Sequence, residues 1–215
     1  MKTRIVLLTG AIMVYMLFTG TINNQNIYKT VKIEKLEWMV DNLNVNVFRN
    51  GDPIPEARTN EEWSKAGKEG KPAWCYYENR NENGNKYGVL YNWFAVHDPR
   101  GLAPVGWHVS SDAEWRVTTD FLGGEDAAGT KMKSKIGWDQ DGNGTNESGF
   151  TGLPGGCRDL NGKFSYINNI AYWWSSTEKD TTFAWFRVID KSPYYVYRTN
   201  YYKQNGLSVR CIKDY

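Results

Sequence analysis

Apolar and polar residues alternate from Ile27 to Ile33, and the pattern resumes from Trp38 to Phe48. In the second run Leu43, Val45 and Val47 fall on one face and Asn42, Asn44 and Asn46 on the other, the period of a half-buried strand. Asn50-Gly51-Asp52-Pro53 then predicts a turn. Thr59 to Gly70 has the spacing of a short amphipathic helix, capped by Thr59 or Asn60 and ended near Gly67 or Gly70. Trp74 to Glu78 reads as a strand and Asn79 to Lys86 as a polar loop. Gly88 to Val96 is apolar enough for a central strand.

Ser111-Asp112-Ala113-Glu114 is a capping box. The serine hydroxyl and the glutamate side chain can each satisfy a free amide at a helix start. The helix it opens carries Trp115 and Phe121 and stops at Gly123-Gly124. Glu125 to Gly156 is rich in Gly, Asn and Asp, an irregular stretch that needs internal packing or an ion to stay ordered. From Ala171 to Tyr215 four aromatic or β-branched runs alternate with polar or Gly/Pro breaks, the mark of a small antiparallel sheet.

The N-terminus has a different character. Lys2 and Arg4 precede an apolar run from Ile5 to Phe18 that is shorter than the roughly 20 residues needed to span a bilayer. The expectation is a secretory signal peptide over residues 1–22, with an N-terminal anchor as the alternative, and a polar spacer over 23–30. No cysteine follows to carry the acyl group of a lipoprotein. The expected location is the periplasm, the cell surface or the medium, with no stable membrane span once the leader is cleaved.

Composition adds two constraints. With 26 Lys+Arg against 24 Asp+Glu, and no basic block interleaved with aromatics, nucleic acid is not an expected partner. The 10 Trp, 14 Tyr and 8 Phe can build a core in a chain poor in Leu and Ile. Each buried ring contributes roughly 4–6 kcal/mol gross.

Export makes the cysteines informative. Cys75, Cys157 and Cys211 allow three pairings with one thiol left over, or three reduced, buried thiols. His97 and His108 are the only histidines, and no zinc-type spacing exists. His108 is expected to be a hydrogen-bonded structural residue. No nucleophile elbow or phosphate-binding glycine loop is present. Asp139-x-Asp141-x-Asn143-Gly144 supplies oxygens at the first positions of a calcium loop, but Phe150 stands where the closing bidentate Glu belongs. That leaves a looser calcium site at Asp139, Asp141 and Asn143, or a plain Asx-turn loop.

Several motifs occur together in order: W-M-V-D-N-L-N (Trp38–Asn44), R-N-G-D-P-I-P (Arg49–Pro55), K-Y-G-V-L-Y-N-W-F-A-V (Lys86–Val96) and G-W-H-V-S-S-D-A-E-W (Gly106–Trp115). G-T-N-E-S-G-F-T-G-L-P-G-G (Gly144–Gly156), Y-W-W-S-S-T-E (Tyr172–Glu178) and G-L-S-V-R-C-I-K-D (Gly206–Asp214) follow. From Val31 to Asp214 the chain resembles the Fibrobacter succinogenes major paralogous domain, a family of exported proteins common in Bacteroidetes, which makes 31–215 a single domain. More distantly, the H-V-S-S-D-A-E-W helix and the final strand resemble formylglycine-generating-enzyme-like domains.

That second resemblance implies an α+β, C-type-lectin-like fold: a twisted antiparallel sheet, about two short helices and long ordered loops. The catalytic chemistry of that group needs a redox-active cysteine pair near the chain end, where Cys211 stands alone, and its iron-dependent relatives need several histidines. The chain departs from the first family at Glu34-Lys35 (usually Gly-Thr), Ser110 (usually Pro) and Cys157 (usually aromatic). Cys75 and Cys211 stand where that family often has Cys, which implies a Cys75–Cys211 disulfide.

Taken together, a non-enzymatic binding module is expected, glycan-binding or adhesin-like, with a cell-envelope protein that recognises a surface protein as the alternative. The candidate contact residues are Tyr195, Tyr197, Arg198, Asn200 and Tyr201. Alternation puts Tyr195, Tyr197, Thr199 and Tyr201 on one face of that run and Arg198, Asn200 and Tyr202 on the other. Exposed tyrosines beside Arg and Asn suit sugar stacking or a protein hot spot.

Overall fold

The structure, a computed structural model, describes residues 28–192 and 194–215. The expected leader therefore lies outside the described residues, as does most of the spacer. In chain order the elements are β1 (Thr30–Ile33), β2 (Leu36–Met39), α1 (Asn60–Lys68), β3 (Trp74–Cys75), α2 (Asn81–Tyr87), β4 (Leu90–Tyr91) and α3 (Trp93–Val96). Then come β5 (Trp107–Val109), α4 (Asp112–Phe121), α5 (Ala128–Met132), β6 (Gly155–Arg158) and β7 (Phe164–Ile167). The chain ends with β8 (Ile170–Glu178), β9 (Phe183–Asp190), β10 (Tyr197–Tyr202) and β11 (Cys211–Lys213).

The fold is mixed α+β, and every strand pair between named elements is antiparallel. One sheet has the order β1-β2-β11-β5, so the first and last described strands share it, Ile212 lying opposite Trp38. A second has the order β10-β9-β8, and β3-β4 and β6-β7 are two-stranded. Among the described residues there are four small sheets and five α-helices, three of them seven residues or longer, where one sheet and about two helices are expected.

Two helices start at expected caps, and both caps are capping boxes. Thr59 accepts from the Glu62 amide and Ser111 from the Glu114 amide, and each glutamate reaches back to its cap. Other expectations yield to tertiary contacts. Residues 40–48 are irregular rather than a strand, because their asparagines are used elsewhere. Asn42 Nδ2 donates to the Tyr87 carbonyl and Asn44 Nδ2 to that of Gly84. The expected loop at Asn79–Lys86 contains α2, whose Gly84 lies so close to Tyr76 that a Cβ would stand 2.3 Å from the ring. Asn92 caps α3 by accepting from the Ala95 amide, and so ends the expected strand after Tyr91.

Aromatic rings form the core, as composition suggested. Trp38, Trp115, Phe150 and Trp173 are fully buried, with neighbouring centroids 4.7–5.9 Å apart. Trp174, on the opposite face of β8, packs in a second cluster with Tyr91, Trp93 and Phe186. Trp63 of α1 covers a third with Cys75, Tyr77 and Leu90.

Buried cations order the long loops. Arg158 donates to the carbonyls of Ala57, Thr59 and Gly162 at 2.6–3.0 Å, flanked by the Trp63 and Phe164 rings. Arg210 donates to Asn42 Oδ1 at 3.0 Å, to the Met39 and Phe150 carbonyls at 2.9 and 2.7 Å, and to that of Val40. Lys133, 1% exposed, points Nζ at the Ser192 carbonyl at 2.9 Å, with those of Lys191 and Asp190 nearby. Irregular backbone leaves carbonyls without partners, and burying them unpaired costs about 1–3 kcal/mol each. These three side chains satisfy them.

Candidate ligand-binding site

His108 is held from both sides. Its Nε2 lies 2.7 Å from Glu114 and its Nδ1 2.7 Å from Asp214, so the ring ties the end of the chain to the start of α4. Hydrogen bonding to Glu114 raises its pKa to about 9 against the opposing effect of burial, with Asp214 adding to the rise. The two carboxylates approach opposite edges of the imidazole and do not converge on a shared point.

The Cys75–Cys211 disulfide is corrected. All three cysteines are free, buried thiols, with Cys75 opposite Leu90 under α1 and Cys211 opposite Val109 in the sheet that closes the fold. Burial pushes the Cys75 and Cys157 thiols up to about 12 and raises that of Cys211 as well. None has the exposed, low-pKa character of a reactive thiol.

In the candidate calcium loop the side chains serve hydrogen bonds within the protein. Asn143 Oδ1 accepts from the Trp138 amide, Asp139 Oδ2 accepts from Asn169, and the Asp139 carbonyl accepts from the Gly142 amide. Gln140 and Asp141 adopt left-handed backbone at φ 53° and 57°. A Cβ at Gly144 would stand 2.4 Å from the Thr130 carbonyl oxygen, so the loop closes against α5 by itself. Among the described residues no group of three or more His, Cys, Asp or Glu could hold a metal ion.

The tyrosine run comprises β10 and the residues just before it, Tyr195 among them, and β10 among the described residues pairs only with β9. It divides its candidates between two faces. Tyr195 and Tyr197 stack on each other at 5.2 Å and are 38% and 41% exposed. Tyr201 shares their face but is half-buried against Phe186, and the line of rings continues through Tyr172 to exposed Tyr166. Arg198 and Asn200 look the other way.

That other face holds an organised polar group. The antiparallel register sets Arg198 opposite Arg187, Asn200 opposite Trp185 and Tyr202 opposite Phe183. The Arg198 guanidinium lies over Trp185, 3.4 Å from its ring centroid, and Nε donates to both Asp112 carboxylate oxygens at 3.0 Å. Asp112 also accepts from buried Arg187 at 2.7 Å, while its own amide donates to Thr177. With Nε committed, the two Nη nitrogens of Arg198 have no hydrogen-bond partner among the described residues. The result is a planar donor fork on an aromatic base, clamped in place and open on its outer edge.

Phe183 and Tyr202 follow on the same face, their rings 4.7 Å apart. Lys179 extends over it, 5.3 Å from the Phe183 ring and 5.8 Å from Trp185. Of this group the tyrosine run revealed only Arg198 and Asn200. Trp185 and Phe183 carry a readable signal, since F-A-W-F-R alternates Phe183, Trp185 and Arg187 onto one face. Only the strand register shows what they meet. Asp112 was masked by its place in the capping box.

Comparison with curated proteins and with solved structures finds no match. A family model for the Fibrobacter succinogenes major domain matches residues 31–213, from the second residue of β1 to the end of β11. The chain therefore belongs to the Fibrobacter succinogenes major domain family.

Proposed function

We propose that this chain is an exported, non-enzymatic binding module whose ligand surface is the outer face of β9 and β10, and that its ligand is a glycan at the bacterial envelope. The observation that carries this reading is the Arg198 guanidinium held flat on Trp185 by Asp112, with its Nη hydrogens unspent. A fixed donor fork beside half-exposed aromatics suits sugars, which offer hydroxyls at their rims and C–H groups on their faces. Rigid placement also lowers the ordering cost of binding. The apolar leader-like segment supports export to the periplasm, the cell surface or the medium. We read the architecture as C-type-lectin-like: β2, which pairs with β1, also pairs with the last strand, and long ordered loops lie between them.

A glycan array tests the reading. The wild-type chain should bind, Trp185→Ala and Arg198→Ala should lose binding, and Tyr197→Ala should keep it. A blank array together with turnover of a substrate would overturn the proposal.

A second reading has its own support. The stacked Tyr195–Tyr197 pair and exposed Tyr166 suit recognition of a surface protein by the opposite face of the sheet. A blank array, with an envelope protein captured by wild type but not by Tyr195→Ala, would favour it.

A further inference from the structure

A cleft of about 350 Å³ opens where the end of α1, the β8–β9 turn and the end of β10 meet. That is within the range of small-ligand pockets, roughly 300–1,000 Å³. Its walls offer the half-buried Phe94 and exposed Tyr202 rings, the Thr181 and Thr182 side chains, Gln204 and Lys68. Tyr202 joins the cleft to the face described above. Its ring lies 4.7 Å from Phe183, and Phe183 is two residues from Trp185 on the same strand face, a step of roughly 7 Å. Arg198–Trp185, Phe183–Tyr202 and the cleft therefore form one continuous path.

The charge along this path is positive. Arg187 and Arg198 share the single carboxylate of Asp112, with Glu125 the only other acid acting on Arg187. Lys179 and Lys68 form no ion pair among the described residues. The nearby acids are already engaged. Glu178 is paired with the buried Lys203, and Asp180 accepts from the Thr182 and Phe183 amides.

We infer that the path binds a linear glycan bearing acid groups, carboxylate or sulfate, and that the cleft takes its terminal sugar. This rests on the binding reading above and adds the ligand's charge, its minimum length and a second subsite. One sugar lies on the Arg198–Trp185 platform and the next on Phe183–Tyr202. The last enters the cleft, where the Phe94 and Tyr202 rings pack on its face and Thr181, Thr182 and Gln204 meet its hydroxyls. The acid groups meet the Arg198 Nη hydrogens, Lys179 and Lys68, since a guanidinium fork matches a planar oxyanion and an ammonium acts as a point charge.

Titration calorimetry on the full chain tests this with three ligand sets of graded length: oligogalacturonates, sulfated carrageenan oligosaccharides that carry no carboxylate, and neutral xylo-oligosaccharides. One acidic set should bind, which tells carboxylate from sulfate, and the neutral set should not. Affinity should fall about tenfold or more as salt rises from roughly 0.05 to 0.5 M. Lys179→Gln and Lys68→Gln should each weaken binding about two- to fivefold, the scale of an exposed ion pair, with unchanged melting temperatures. Tyr202→Ala should remove the gain in affinity from dimer to trimer. Neutral ligands binding equally well, without salt dependence, would overturn the inference and leave the glycan reading standing. Wild-type affinity in both lysine variants would do the same. If no glycan of any set binds, the inference falls, and a blank glycan array beside it removes the reading beneath.

Discussion

His108 Nε2 lies 2.7 Å from Glu114 Oε1 across the junction between β5 and α4, while its Nδ1 reaches Asp214 beyond β11. The folded imidazole has a pKa of about 9, above the ordinary 6.5, so its contribution to stability is complete below about pH 6.5 and is lost as pH rises through 9. For Glu114, burial raises the pKa but hydrogen bonds from His108 and Ser111 outweigh it and lower it. That contribution is present above the usual carboxylate range and fades as pH falls through the lowered value. The bridge is therefore complete from roughly pH 5 to 7. His108→Gln should cost about 1 kcal/mol there, after allowance for solvent screening at a ring 36% exposed. Urea unfolding at pH 6 and pH 10 checks this, because the difference should shrink at the higher pH.

Asp112 serves two guanidinium groups, one of them fully buried. Removing its carboxylate leaves Arg187 charged and unpaired in the interior, so Asp112→Ala should destabilise the fold by about 3–5 kcal/mol. Arg198→Ala removes only the half-exposed partner and should cost about 1 kcal/mol or less. Denaturant midpoints for the two variants would show whether the clamp is organised as described. Equal costs would contradict it.

Arg210 sits among the carbonyls of Met39, Val40 and Phe150 with no carboxylate in contact, and burial lowers its pKa to about 9. Arg210→Met fills similar volume but leaves those carbonyl oxygens without their guanidinium donor, while Asn42 Oδ1 keeps the Trp173 indole N–H. A loss of about 3 kcal/mol or more is expected, read as a fall in melting temperature.

Lys133 ties loop 125–156 to the Ser192 carbonyl, and chelation is expected to have no effect on stability. EDTA should leave the melting temperature unchanged, whereas Lys133→Met should lower stability by about 2 kcal/mol. A fall with EDTA that calcium reverses would favour the calcium reading of Asp139, Asp141 and Asn143.

The cysteines offer a count. With three free, buried thiols, iodoacetamide should add nothing to the native chain at pH 8 and three adducts after unfolding without reductant. A Cys75–Cys211 disulfide would leave a single adduct, resolved by intact mass.

How much of this was legible depended on how local each signal is. The capping box at Ser111 could be read because cap and partner lie three residues apart and the chemistry closes within one turn, whereas at the first helix the sequence left Thr59 or Asn60 as the cap. The aromatic runs at the C-terminus kept their strand character because alternation is also a local property. Asn42 and Asn44 misled because their partners, Tyr87 and Gly84, lie far along the chain. The long loop announced a need for internal packing or an ion, but nothing nearby showed that Lys133 would reach the distant Ser192 carbonyl.

The sequence by itself determined the family, the aromatic core, two helix starts and the four C-terminal strands. These rest on side-chain type and short-range spacing. Tertiary structure alone decided the site. Arg198 meets Trp185 and Asp112 only because β10 pairs with β9 in one register and α4 packs beside them. A shift of one residue in that pairing would turn Arg198 to the opposite face and leave Asp112 as a helix cap, since side chains in a strand change face at every position.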